Sequence, residues 1–212
     1  MTGIIKQHAL KALSSRKIDG TGLRVAIVHT KWNATIVDSL VAAAKSELLR
    51  AGVTESDIVI VDVPGAYELP YAASRLIASQ KLDAVICVGT LIKGDTMHFE
   101  YICEAVSQGI MRVQLESGVP VLFGVLTVLN EQQAKDRAGF SDNGHNHGTE
   151  WAQSAIEMGH LRKATSNIGC PMLPYERPPY NILSSNLFCT GCHIVTIGVL
   201  SIIAMTIAKK LT

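Results

Sequence analysis

The chain has 212 residues, and its 19 basic and 18 acidic side chains leave a formal net charge of +1. A mass of 22.8 kDa suits one α/β domain with sequence left over, and the balanced charge excludes a basic nucleic-acid stripe or an acidic disordered tail. Five cysteines, scattered at 87, 103, 170, 189 and 192, make no disulfide framework and point to a reducing compartment.

Residues 1–17 carry Lys6, Lys11, Arg16 and Lys17 with no acid, and read as an N-terminal arm. The arm is either solvated, docked on a neighbour, or a mitochondrial presequence, and it lacks the apolar core of an export signal. The run "LRVAIVH" (23–29) predicts a first strand. A helix follows over 34–51, with Ile36, Val37, Leu40, Val41 and Ala44 on one stripe and Gly52 as its stop. "DIVIVDV" (57–63) predicts a second strand closed by Pro64-Gly65, then a helix over 68–79. "AVICV" (84–88) predicts a third strand closed by Gly89, and a helix over 96–116. "VLFGVLTV" (121–128) is the fourth strand. Asn130 is placed to cap the next helix, with Gln133 completing a capping box and Gly139 ending it. The polar loop "FSDNGHNHG" precedes a last helix over 149–162.

Continuous apolar strands separated by helices predict an α/β fold with a parallel sheet covered on both faces. Ligands of such sheets bind beyond the carboxyl ends of the strands. Trp32 and Asn33 leave the first strand, and an indole in a polar loop offers a stacking face for a flat heterocycle or packs under the loop. Pro64-Gly65-Ala66-Tyr67-Glu68 leaves the second, where Glu68 either binds ligand or complements the helix dipole. "GTLIKGDTMHFEY" (89–101) leaves the third. Its Asp95 or Thr96 is the predicted N-cap, amides beside Gly94 are suited to phosphate, and His98 in the first turn is a candidate general base. Arg137 and His147 are candidate phosphate partners. "HNHG" offers two histidines and is by itself a poor metal site.

The segments "KWNATIVDSLVAAA", "VPGAYELP", "GTLIKGDTMHFEYI", "FGVLTVLNEQQAKDRAG" and "HNHG", in this order, closely resemble 6,7-dimethyl-8-ribityllumazine synthases of the fungal and yeast branch. The resemblance covers residues 18–163. It implies a three-layer αβα sandwich on a four-stranded parallel sheet, flavodoxin-like, with no cofactor and no metal. It implies condensation of 5-amino-6-(D-ribitylamino)uracil with 3,4-dihydroxy-2-butanone 4-phosphate, releasing phosphate and water. By the same resemblance Trp32 stacks on the pyrimidinedione, and Ala66, Tyr67 and Glu68 hold the ring and ribityl hydroxyls. Leu91, Ile92 and Lys93 contact the uracil edge. Gly94, Asp95 and Thr96 form the phosphate-side turn, and His98 transfers protons. Phe123 is lent by a neighbouring subunit, and Arg137 with His147 binds phosphate. The family's sites lie between subunits of a five-membered ring, and the long 140–147 loop resembles members that stay pentamers, with the arm adding a strand to a neighbour's sheet.

Residues 164–212 have no counterpart in that pattern. "CPMLPYERPPY" reads as part of a proline-containing linker over 164–186. Residues 187–208 hold no Lys, Arg, Asp or Glu and are long enough to span a bilayer. This stretch reads as a mispredicted gene end, a membrane tail anchor, a buried apolar tail, or, through "CTGCH", a haem attachment site. The expected location is cytoplasmic, with membrane-anchored and mitochondrial placements as alternatives. The competing functions are a non-catalytic flavin or lumazine carrier and a membrane-tethered scaffold.

Overall fold

An apolar run makes β1, Val25–Thr30, whose side chains are buried on both faces as a central parallel strand requires. The computed structural model describes residues 18–141 and 144–166. The predicted arm (1–17), the linker beyond Ser166 and the apolar tail (187–208) lie outside the described residues. Among the described residues, no helix is long and apolar enough to cross a membrane.

Three further strands pair in parallel with β1: β2 (Ile58–Val63), β3 (Ala84–Ile92) and β4 (Val121–Val128), in the order β2-β1-β3-β4. The helices are α1 (Ala34–Arg50), α2 (Leu69–Ser79), α3 (His98–Ser117), α4 (Glu131–Arg137) and α5 (His147–Ser166). Alternate strand residues face opposite layers. Val25, Ile27, Ile86 and Val88 pack with Leu40 and Leu48 of α1 and Ala155 and Ile156 of α5. Ala26, Val28, Val85 and Cys87 pack with Leu69 and Ala73 of α2 and Val106 and Ile110 of α3. Each fully buried Leu or Ile contributes about 1.5–3 kcal/mol. The result is the expected αβα sandwich. Because α1 leaves β1 on one face and α3 leaves β3 on the other, the sheet has its switch point between β1 and β3, where a crevice opens beyond the strand ends.

The structure corrects several local expectations. Gly89 does not close β3; the strand runs on to Ile92. A Cβ at Gly89 would lie 3.1 Å from Thr30 Cγ2 and 3.4 Å from Leu69 Cδ1, so the glycine serves close packing rather than a turn. Neither Asp95 nor Thr96 caps α3. Lys93 N–H donates to Val128 O at 2.9 Å, which keeps the chain extended through 93 and delays the helix to His98 with Met97 as N-cap. Thr96 Oγ1 accepts only a long bond, 3.4 Å, from His98 N–H. The last helix starts at His147, not 149, because Asn146 Oδ1 accepts from Gly148 N–H at 3.0 Å; it runs through residues 164–166, which were read as linker. Asn130 does cap α4, accepting from Gln133 N–H at 3.0 Å, while Gln133 Oε1 accepts from Leu129 N–H rather than from Asn130 itself. Gly52, at φ 93°, ends α1 as expected.

Candidate active site

A cleft of about 640 Å³ lies at the switch point. That volume falls within the range of roughly 300–1,000 Å³ usual for small-molecule sites. It is built by the exits of three strands. Thr30, Trp32 and Asn33 come from the end of β1, Gly65 through Glu68 from the turn after β2, and Thr90 through Ile92 from the last residues of β3. His98 and Ile102 close one side from the first two turns of α3.

Local geometry explains how these groups are held. Asn33 adopts φ 56° and ψ 43°, a left-handed conformation that Asn tolerates better than most residues. Its Nδ2 donates to Thr90 O at 2.9 Å, tying the β1 exit to the end of β3. Trp32, 73% exposed, is free to present its ring to the cleft, and its Cδ1 lies near the Gly65 backbone. Gly65 N–H donates to Glu68 Oε2 at 2.9 Å, so Glu68 closes its own turn. Among the described residues Glu68 Oε1 has no hydrogen-bond partner, which leaves one carboxylate oxygen for a ligand. The dipole reading of Glu68 and the ligand reading are therefore compatible.

Thr30 and Thr90 line the cleft and escaped the sequence reading. Both are buried, at 2% and 3% exposure. Among the described residues Thr90 Oγ1 has no hydrogen-bond partner, and a buried hydroxyl in that state calls for an explanation that a ligand in the cleft would supply. The available signal was a hydroxyl residue at the end of an otherwise apolar strand.

The remaining predicted residues lie outside this cleft. Lys93, Gly94, Asp95 and Thr96 form the exposed turn between β3 and α3. Phe123 sits on the edge strand β4, 41% exposed. Arg137 ends α4, exposed, with Nη1 donating to Gln133 O at 3.1 Å. His147 opens α5, not a loop, with Nδ1 3.2 Å from Glu150 Oε2, while His145 Nε2 lies 3.2 Å from the other carboxylate oxygen.

Arg137 and His147 nonetheless belong to one tied-down edge. Asn146 Nδ2 donates to Ala138 O at 2.9 Å, and His145 N–H to Asp136 O at 3.0 Å. Hydrogen bonds from Ser141 Oγ and then Gln132 Nε2 hold the Asp136 carboxyl below the usual carboxylate range, keeping an anion beside Arg137. Asn146, the hub of this edge, was also missed. Among the described residues no group of three His, Cys, Asp or Glu is placed to hold a metal ion. Burial pushes the Cys87 thiol up to about 12, so it carries no thiolate at neutral pH and is no nucleophile.

Fold and site together define a flavodoxin-like α/β domain with a cleft of small-molecule size at the switch point of its sheet. Residues 22–163 match the family model for 6,7-dimethyl-8-ribityllumazine synthase. A 6,7-dimethyl-8-ribityllumazine synthase of Schizosaccharomyces pombe is 49% identical over 151 residues, covering 71% of this chain and 94% of that protein. One from Pyricularia oryzae is 44% identical over 189 residues, covering 72% of this chain and 94% of that protein. A bacterial one, from Kineococcus radiotolerans, is 48% identical over 141 residues, covering 66% and 86%. The chain belongs to the 6,7-dimethyl-8-ribityllumazine synthase family.

Proposed function

We propose that this chain is a transferase that condenses 5-amino-6-(D-ribitylamino)uracil with 3,4-dihydroxy-2-butanone 4-phosphate. The product is 6,7-dimethyl-8-ribityllumazine, with release of phosphate and water, in the penultimate step of riboflavin biosynthesis. The observation that carries this reading is the switch-point cleft, which combines a stacking indole, a half-free carboxylate and an imidazole at its rim.

In this reading the pyrimidinedione stacks on Trp32, with Asn33 beside it, and the ribityl hydroxyls meet Ala66, Tyr67 and the free oxygen of Glu68. Leu91, Ile92 and the Lys93 backbone contact the uracil edge. The substrate amine attacks the ketone, and loss of water gives an imine. Phosphate is then eliminated, and ring closure follows with loss of a second water. His98 lies close enough to the cleft to move the protons these steps require. Holding two small reactants together supplies much of the rate gain. The Gly94-Asp95-Thr96 turn, Arg137 and His147 take the phosphate.

Phe123, Arg137 and His147 do not line the cleft of their own subunit. A site completed between neighbours accounts for that separation, and a cytoplasmic pentamer is the assembly proposed. Nothing in the cleft favours a flavin carrier, which needs no proton-transfer group, or a membrane-tethered scaffold. The test is direct: both substrates are mixed with purified protein and lumazine absorbance is followed. Enzymatic product formation is expected; ligand binding without turnover would leave the carrier reading.

A further inference from the structure

Lys93 and Glu100 form an ion pair across the turn that leads into α3. The Lys93 ammonium also lies 5.6 Å from the centre of the Phe99 ring, within cation–π range. Glu100 Oε2 is buried with no hydrogen-bond partner, so among the described residues Lys93 is the only polar partner of this carboxylate. Between the two ends run Gly94, Asp95, Thr96 and Met97, all exposed, and Gly94 has open space around it.

Few contacts hold this turn. The Lys93 N–H bond to Val128 O fixes its beginning. The Lys93–Glu100 pair fixes the other side, because Glu100 stands in the first turn of α3, two residues beyond His98. Among the described residues, Gly94 and Asp95 make no hydrogen bond outside the turn, and Thr96 Oγ1 accepts only the long bond, 3.4 Å, from His98 N–H. A segment held this lightly opens readily unless its side-chain tether closes it.

We infer that Glu100 is a positioning residue: its ion pair with Lys93 clamps the 93–97 turn onto α3 and so fixes His98 and the turn's amides at the mouth of the cleft. The inference rests on the lumazine synthase reading for the roles of His98 and the turn. The pair is partly exposed, with side chains at 40% and 36%, so its contribution to global stability is small. Its effect belongs to the geometry of the site, where displacements of about 1 Å cost up to 10²-fold in rate.

The test is steady-state kinetics of the full chain with both substrates. Glu100→Gln is expected to lower kcat/KM about tenfold, through a raised KM for the butanone phosphate and a lowered kcat. KM for the uracil amine and the melting temperature should stay near wild type. Glu100→Asp, which keeps the charge, should recover most of the loss. The double variant Lys93→Met with Glu100→Gln should be no worse than the poorer single variant, because both break one pair. Wild-type turnover with unchanged Glu100→Gln kinetics, or losses that simply add, would overturn the clamp alone. Absence of wild-type turnover would overturn the reading on which it rests.

Discussion

Replacing Asn33 by alanine and, separately, by glycine isolates the two tasks of one side chain. Its Nδ2 bonds Thr90 O at 2.9 Å, and its backbone sits at φ 56°. Either replacement removes the bond and leaves a part-buried carbonyl short of a donor, at a cost of about 1–3 kcal/mol. Alanine adds the left-handed strain of a residue with Cβ, about 1–2 kcal/mol, which glycine avoids. Glycine's greater freedom in the unfolded chain offsets about 0.4–1 kcal/mol of that advantage. Asn33→Gly should therefore be more stable than Asn33→Ala by about 0.5–1 kcal/mol, or roughly 1–4 °C at about 2–4 °C per kcal/mol. Both should melt below wild type, and both should lose affinity for the uracil amine, because the Asn33 bond anchors the loop bearing Trp32. Calorimetric melting and kcat/KM with the amine varied are the assays. An alanine variant as stable as the glycine variant would refute the argument from backbone conformation.

Glu47 is 6% exposed, and hydrogen bonds from Arg50 first and Gln153 next hold its carboxyl below the usual range, against the opposing effect of burial. With the folded value depressed, its stabilisation is present above an unfolded value of about 4.3 and is lost as pH falls through the folded value. Melting followed downward from pH 6 should fall more steeply for wild type than for Glu47→Gln. Arg137→Ala should raise KM for the butanone phosphate by roughly 10–100-fold, the worth of a charged hydrogen-bonded contact of about 1.5–3 kcal/mol, and leave KM for the amine unchanged. Trp32 should quench the fluorescence of added riboflavin by stacking, and Trp32→Ala should remove most of the quenching, since the indole is the larger of the two exposed rings of the cleft, Trp32 and Tyr67.

The α/β alternation was legible because each strand is a short apolar run bounded by turn residues, and β4 ends where its pattern ends. Gly89 misled: a glycine after "AVICV" signals a stop, yet here it admits Thr30 and Leu69 against the sheet, a contact no local pattern reveals. The start of α3 also depended on a distant bond, from Lys93 N–H to Val128 O. The sequence places His147 in a polar loop because the Asn146 cap that begins α5 is set by contacts to Ser39, far away in sequence, and to the end of α4 at Ala138. The loops that build the cleft could be chosen from the chain, since they follow strand ends. Thr30 and Thr90 could not, because a threonine in an apolar strand ordinarily reads as a β-former.

The central claim is that the cleft bearing His98 carries out the condensation. Single-turnover and steady-state formation of lumazine by wild type and His98→Ala, both saturated with the two substrates, tests it most directly. Proton transfer by a placed group is worth about 10²–10⁴-fold, so kcat should fall by that factor while substrate binding persists. A His98→Ala enzyme that forms lumazine at the wild-type rate would contradict the account.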